Sequence, residues 1–594
     1  MPNELGPIRR SQAITTYGPG AIVDFRVGGH RGGAVSVIAA GLEQWDENAS
    51  AKGVAHPQTT HEPRLERKLK VRGFRLPPVV VGARRSEYED QLVGVRFPRW
   101  LQCPRCNRLA LDGPNTTWQK APGDARRYCP TCRVGNQRVH AVPVRLVTAC
   151  RNGHIDEFPW SYWVHGRNPD HEPDLRLVQG RGSGIGSLLV KCVADGCHSG
   201  TRSLAGCFGK NALGLKCRGR RPWLEVDDSA CGEDLRTVQR GASNLYFPIT
   251  ESALDIPPWA DRIQKQIGVY WSRIESQPTQ EDRATLVRML GLSEELGIPE
   301  TDLLQAIEDR LGLLEIAPGI REDEYRNFMK GQNPAIGSEV DFQIEPAGIP
   351  DRFKGSLAKL VKAKRLREVR VLRGFTRLEP YAGPEDDPRI APIGARPLGW
   401  LPGIEIRGEG IFFALDPAAL RAWETTRRVR DRVATLSARV PTDRKINTEE
   451  ATPRTILLHT LSHLLMSELA LECGYSQASL RERIYVSEDE MAGALVYTGT
   501  PDSEGTLGGL VRQGDPERFA EIMLASLQRA SWCANDPLCI EGTTTLSDVL
   551  NLAACHSCCL VPETSCEKFN RLLDRGLLIG TPSDPQIGFF QRLL

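Results

Sequence analysis

Apolar and polar residues alternate near the start of the chain. In RSQAITTYGPGAIVDFRVGG (10–29), Ala21, Val23 and Phe25 recur with a period of two, after a Gly-Pro-Gly turn at 18–20. That pattern predicts a half-buried strand, within an irregular and strand-like stretch over 1–100. The polar run GVAHPQTTHEPRLERKLKVRGFRLPP (53–78) reads as a loop. Its histidines, His56 and His61, and the earlier His30 lack ligand spacing and read as surface residues. The period lengthens over 250–330, where Leu303, Leu304, Ile307 and Leu311 form one helical stripe with Pro299 near its start. Residues 345–415 return to a mixture of strand and loop, including IEIRGEGIFFAL (404–415).

Three further helices are predicted. One runs over 416–440, with Asp416 as N-cap, Pro417 in the first turn, and Leu420, Trp423, Val429, Val433 and Leu436 in phase. The next is capped by Thr452, opened by Pro453 and closed by Gly474. It is apolar nearly all round, which predicts a buried helix. After the Gly-rich loop TGTPDSEGTLGGL (498–510), PERFAEIMLASLQRA (516–530) is the third.

Length and composition add limits. The chain has 594 residues, too many for one core, so several domains are expected. A formal net charge of +2 makes any basic surface local. No run of about 18 apolar residues predicts a membrane span. The start MPNELGPIRRSQ has no apolar h-region, so a cytoplasmic protein is expected. In that reducing compartment, clustered cysteines favour metal over disulfides.

The seventeen cysteines are indeed clustered, ten in 103–231 and six in 533–566, with Cys473 apart. Cys103-x2-Cys106 and Cys129-x2-Cys132 are two knuckles separated by 22 residues. Such a pair can deliver four thiolates to one tetrahedral Zn²⁺ at about 2.3 Å. Cys192, Cys197, Cys217 and Cys231 form a looser second set, with Cys207 as a spare and Cys150 and His154 read as packed or hydrogen-bonded. In the third, Cys539, Cys555, Cys558 and Cys566 are the expected ligands, with Cys533 in reserve. Cys559 adjoins Cys558, so its side chain points elsewhere. Sites with four cysteine ligands keep no open position, so the clusters predict scaffolds and do not imply catalysis.

Other motifs point away from enzymes. His459-x3-His463 shares a helix face, but Thr460 stands where a metalloprotease would carry glutamate. GRGSGIGS (180–187) lies between strand-like segments and reads as a turn, and no Walker A motif occurs. Between Arg352 and Arg377 there are ten Lys or Arg and one acid, Glu368. This local excess makes Lys354, Lys359, Lys362, Lys364, Arg365, Arg367, Arg370 and Arg373 candidate phosphate contacts, although Leu357, Leu360, Leu366 and Val369 show that the segment also packs.

GTLGGLVRQGDPERF (505–519), WCANDPLC (532–539), ACHSC (554–558) and PETSCEKFNRLLDR (562–575) resemble the MrfA-type zinc-binding domain of certain superfamily 2 helicases. Cys555, Cys558, Cys566, Asn570, Leu573 and Asp574 occupy its pattern. LHTLSHLLMSELALECGY (458–475) resembles the buried helix of that domain, which gives His459 and His463 an internal role. RRSQAITTYGPGAIVDF (9–25), TACRNGHIDEFPWSYWVH (148–165), RGASNLYFP (240–248) and LREVRVLRGFTRL (366–378) resemble the DrmB family of the DISARM anti-phage defence system of bacteria. The doubled Cys558-Cys559 departs from the pattern and leaves the fourth ligand open between Cys539 and Cys533.

The resemblance implies a non-catalytic zinc scaffold that partners a DrmA-type helicase as a heterodimer, helps hold DNA, and leaves ATP hydrolysis to that partner. Other DISARM components are possible partners. The rival reading is a metal-dependent nuclease or hydrolase using His459 and His463. The expected architecture is α+β and multidomain: a β-rich segment (1–100), a cysteine-rich zinc-ribbon region (101–248), a helical region (249–345), a basic α+β region (346–450) and an MrfA-type zinc-binding domain (451–594).

Overall fold

The computed structural model describes residues 5–27, 32–45, 59–77, 92–257 (apart from 115, 136, 199, 225 and 228–230), 263, 267–268, 270–316, 319–331, 333, 341–381, 387–439, 451–499, 508–542 and 550–594. The fold mixes α and β in two compact units built from interleaved stretches. Residues 1–58, 75–250 and 372–402 form the first, and 59–74, 251–371 and 403–594 form the second.

The first unit is a set of small antiparallel sheets. Ile22–Val27 pairs with Gly33–Ala39 in the register Ile22↔Ile38, with Gly94–Arg96 on the far side. The strand expected from Ala21, Val23 and Phe25 is therefore present. Gly20, at φ +88° in the preceding turn, must be glycine, because a Cβ there would lie 2.4 Å from the Phe375 ring. A six-stranded sheet runs Val142–Pro143, Trp100–Gln102, Arg108–Leu111, Leu175–Gln179, Leu188–Cys192 and Thr201–Ser203 in spatial order. The 180–187 segment is the turn joining two of these strands, as its flanks predict. Ile155–Glu157, Leu146–Ala149 and Arg236–Gln239 form a third sheet. Most of these strands are five residues or fewer, and most of the cysteines lie in their turns. Modules this small bury little apolar surface of their own, so local cross-links have much to contribute.

In the second unit, residues 357–371 and 403–415 of two long strands, Leu357–Thr376 and Leu401–Leu415, pair antiparallel from Leu357↔Leu415 to Val371↔Gly403. Ala492–Thr498 and Leu480–Val486 extend the sheet. Successive residues face opposite cores. Leu360, Phe413 and Val496 pack with Leu457, Leu461, Leu464 and Met523 of the helices Pro453–Cys473 and Pro516–Ala530. Val361, Phe412 and Leu495 pack with Leu303, Ile307 and Phe328 of the helices Glu300–Ile316 and Ile320–Lys330. The helix Pro453–Cys473 has the predicted caps: Thr452 accepts from the Thr455 amide, and Gly474 ends it at φ +67°. It is long and apolar enough to cross a membrane, and here it is mostly buried inside the unit.

Two expectations about local structure are corrected. The expected loop at 53–78 contains a helix, Pro63–Leu69, capped by Glu62 accepting from Leu65 N and anchored by the buried Leu65. In the same segment His61 Nδ1 lies 2.8 Å from Glu66 Oε1, while His30 and His56 fall outside the described residues. The single helix expected over 416–440 is two, Pro417–Glu424 and Arg427–Ser437. Thr426 takes an extended conformation between them, and its hydroxyl turns back onto the Trp423 carbonyl.

Candidate metal centres

Five groups of potential ligands occur among the described residues, and within each the ligand atoms lie within 4.8 Å of one another. For bonds of about 2.3 Å, a tetrahedral ion places neighbouring sulfurs about 3.8 Å apart. That edge is far longer than a disulfide bond.

Cys103, Cys106, Cys129 and Cys132 converge as the knuckle spacing predicts, with 3.7 Å between the sulfurs of Cys106 and Cys129. Cys103 and Cys106 sit in the turn between Trp100–Gln102 and Arg108–Leu111, and Cys129 and Cys132 on the strand Tyr128–Val134. Burial drives the Cys103 thiol up to about 12. Burial opposes ionisation of Cys129 as well, but hydrogen bonds from Thr131 and neighbouring groups bring it down to about 6.

The second expected set does not exist as one group. Cys192 and Cys197 meet His165 and His171, whereas Cys217 and Cys231 meet Cys150 and His154. The topology explains the division. Cys192 ends the strand Leu188–Cys192, beside the helix Trp160–His165. Cys217 lies on an arm bridged by Lys216 and Asp234, facing the tight turn Cys150–His154. Both groups match the spacing for nitrogen and sulfur ligands, about 3.5 Å. Cys192 Sγ to His171 Nε2 and Cys197 Sγ to His165 Nε2 are both 3.5 Å, and Cys150 Sγ to His154 Nδ1 is 3.4 Å. His165 Nδ1 donates to the Ser161 carbonyl at 2.7 Å, which leaves the Nε2 lone pair facing the cysteines. A hydrogen bond from Cys150, helped against burial by His154 and the Gly219 amide, takes Cys217 down to about 4.

Sequence reasoning missed His165 and His171 as ligands and left Cys150 and His154 as a packed pair. A signal existed in HGRNPDH (165–171), which places two histidines shortly before Cys192-x4-Cys197. Cys207 is buried and belongs to none of the groups, and burial raises its thiol to about 11.

In the C-terminal region the converging cysteines are Cys533, Cys539, Cys555 and Cys558. Sulfur separations of 3.5 Å (Cys533–Cys555), 3.8 Å (Cys539–Cys558) and 3.7 Å (Cys555–Cys558) match tetrahedral edges. Cys533 thus stands where Cys566 was expected. Cys566 lies instead against His459, His463 and Glu482. The amides of Asn535 and Cys555 point at the sulfurs of Cys533 and Cys558, at 3.5 and 3.3 Å, as donors do around thiolates. Burial raises Cys533 to about 11. Despite that same burial, hydrogen bonds from Asn535 and neighbouring groups lower Cys555 to about 7. Fully buried Arg575 hydrogen-bonds to Cys539 and to the Ala530 carbonyl, placing a positive charge beside a group that becomes anionic with Zn²⁺ bound. Cys559 packs into the apolar core and is in no group.

The basic segment is divided by its strand. Arg367 is buried and bonds Asp255, Glu405 and Thr60 at 2.7, 2.6 and 2.8 Å. Arg370 is buried against Glu368 at 2.8 Å. These two cannot reach phosphate, because both are buried and each guanidinium balances an interior carboxylate. Lys362 is mostly buried and paired with Glu345 and Asp515. Lys354, Lys364 and Arg365 are exposed, and Lys359 and Arg373 are half-buried.

Residues 9–247 match the model of a domain of unknown function, DUF8724, and residues 461–559 match the MrfA Zn-binding domain. With the spacing of the four-cysteine groups, the second match makes this a zinc-binding protein. A crystal structure of the DUF1998 helicase MrfA bound to DNA shares 13% identity over 38% of this chain and 23% of its own, at a TM-score of 0.20, too slight a likeness to bear on the fold. The DISARM protein DrmB of Bacillus paralicheniformis is 33% identical over 539 residues, 86% of this chain and 92% of its own length. The chain belongs to the DrmB family.

Proposed function

We propose that this protein is a zinc-braced scaffold of a DISARM defence complex, which associates with a DrmA-type superfamily 2 helicase and helps it hold DNA. The carrying observation is the 33% identity across 92% of the DISARM protein DrmB. The metal groups agree with a scaffold. Each gathers four protein ligands, which fills a tetrahedral ion and leaves no position for water or substrate. Zinc held this way contributes folding free energy to the small modules around it.

DNA contact falls to the exposed cations Lys354, Lys364 and Arg365, with Lys359 and Arg373 in support. Their surface pairs, such as Lys354 with Asp351 and Lys364 with Glu345, are easily exchanged for phosphate. ATP hydrolysis then belongs to the helicase. Burial disfavours the rival reading of a nuclease or hydrolase at His459 and His463, since both side chains are 0% exposed.

The test is the helicase's DNA affinity and DNA-stimulated ATPase, each with and without this chain. Addition of the protein should tighten DNA binding or alter turnover, and the triple change Lys354→Glu, Lys364→Glu, Arg365→Glu should reverse the gain in affinity. Identical helicase behaviour in its presence and absence would sink the proposal.

A further inference from the structure

The group left over by the C-terminal four-cysteine site is closed from solvent. His459 and His463 lie one turn apart on the helix Pro453–Cys473. Glu482 comes from the strand Leu480–Val486, and Cys566 follows the turn Glu563–Ser565. Relative exposures are 0%, 0%, 1% and 8%. His459 Nε2 lies 3.1 Å from Cys566 Sγ and 3.1 Å from Glu482 Oε1, and His463 Nε2 lies 3.4 Å from the same oxygen. For bonds of about 2.0 to 2.3 Å, tetrahedral edges between nitrogen, oxygen and sulfur ligands run from about 3.3 to 3.6 Å. Two of the separations fall slightly below that range and the third within it, so the cluster is close to the size of a coordination shell.

Its hydrogen bonding has the polarity of one as well. His463 Nδ1 donates to the Cys559 carbonyl at 2.9 Å, so a neutral His463 turns the lone pair of Nε2 toward the Glu482 carboxylate. Two acceptors then face each other in a buried interior, and neither His463 Nε2 nor Glu482 Oε2 has a hydrogen-bond partner among the described residues. Cys566 Sγ accepts from two backbone amides, Lys568 at 3.3 Å and Asn570 at 3.2 Å, an arrangement that suits a thiolate. The Glu567 amide donates to Glu482 Oε1 at 3.2 Å. One carboxylate, one thiolate and two neutral imidazoles carry two negative charges, which a divalent cation balances.

We propose that His459, His463, Glu482 and Cys566 bind a further Zn²⁺, separate from the four-cysteine site and purely structural. Two nitrogens, one oxygen and one sulfur suit a borderline-soft ion without geometric preference. The four ligands complete its shell. None of them lines the cavity of about 690 Å³ that opens nearby at Ile484, Glu567 and Lys568, so that cavity gives no access to the ion. The ion ties the central helix, the strand Leu480–Val486 and the C-terminal segment into one piece. The doubled cysteine gains a meaning here. The Cys558 side chain serves the four-cysteine site, while the backbone carbonyl of Cys559 orients a ligand of the second ion.

Two measurements test this. Elemental analysis of the folded full-length chain should show one zinc fewer in His463→Gln and in Cys566→Ser than in wild type, with the four-cysteine site intact. Cys555→Ser, by contrast, should lose the ion of the four-cysteine site and keep the second. Zinc content equal to wild type in folded His463→Gln and Cys566→Ser would overturn the proposal. Should those variants not fold, zinc-edge anomalous diffraction from wild-type crystals decides. A peak enclosed by the four side chains supports the site, and its absence there, with peaks at the four-cysteine groups, refutes it.

Discussion

At the scale of single residues, neighbours in sequence do different work. Cys558 and Cys559 are adjacent, yet one sulfur lies 3.8 Å from Cys539 Sγ and the other packs in the apolar core. Elemental analysis should therefore find one zinc fewer per chain in Cys558→Ser and no change in Cys559→Ser. Arg367 offers a second contrast, because it is basic in sequence and structural in place. Arg367→Met removes the guanidinium that Asp255 and Glu405 share and should cost about 3 kcal/mol, read as a lower urea midpoint. The pH dependence follows from Glu405. Burial opposes its ionisation, but Arg367 prevails and holds the carboxyl at about 2. A folded value below the unfolded one gives stability that is present above the unfolded value, about 4.3, and is lost as pH falls toward 2. The melting-temperature loss caused by Glu405→Gln should thus be full at pH 6 and shrink steadily below pH 4.

Elements were legible where local rules suffice. Thr452, Pro453 and Gly474 bound their helix because capping is settled within a few residues. The knuckles at Cys103 and Cys129 converge because a two-residue gap turns both sulfurs to one point. What sequence hid was set by long-range pairing. Cys192 and Cys217 look like one set along the chain, but they lie on separate strands with different neighbours, and only the sheet order reveals His165 and His171. Glu482 carried a fainter signal, a lone acid between Leu480 and Ile484 on the inward face of a strand. The charge run at 352–377 misled because counting cations ignores that a strand covered on both faces must pair those it buries. At this scale, Lys364→Glu with Arg365→Glu should weaken DNA binding and flatten its salt dependence without lowering the melting temperature. The logarithmic slope should fall by roughly 0.9 for each phosphate no longer neutralised. Arg370→Met should do the reverse, lowering stability while leaving the salt slope unchanged in whatever protein remains folded.

For the whole molecule, metal and fold are coupled. The first unit is made of short strands joined by cysteine-bearing turns, whereas the second has a long sheet between two helical layers. Chelation should therefore melt the first unit well before the second. Amide hydrogen exchange after treatment with a strong zinc chelator should show protection lost across 100–240 and retained in the strands at 357–371 and 403–415. The proposed scaffold role depends on a helicase partner. Size-exclusion chromatography with light scattering on the chain co-expressed with a DrmA-type helicase is the most direct measurement. A single peak at the summed mass of one copy of each, persisting at moderate salt, is the predicted result. Two separate peaks at the individual masses, with and without DNA, would contradict it.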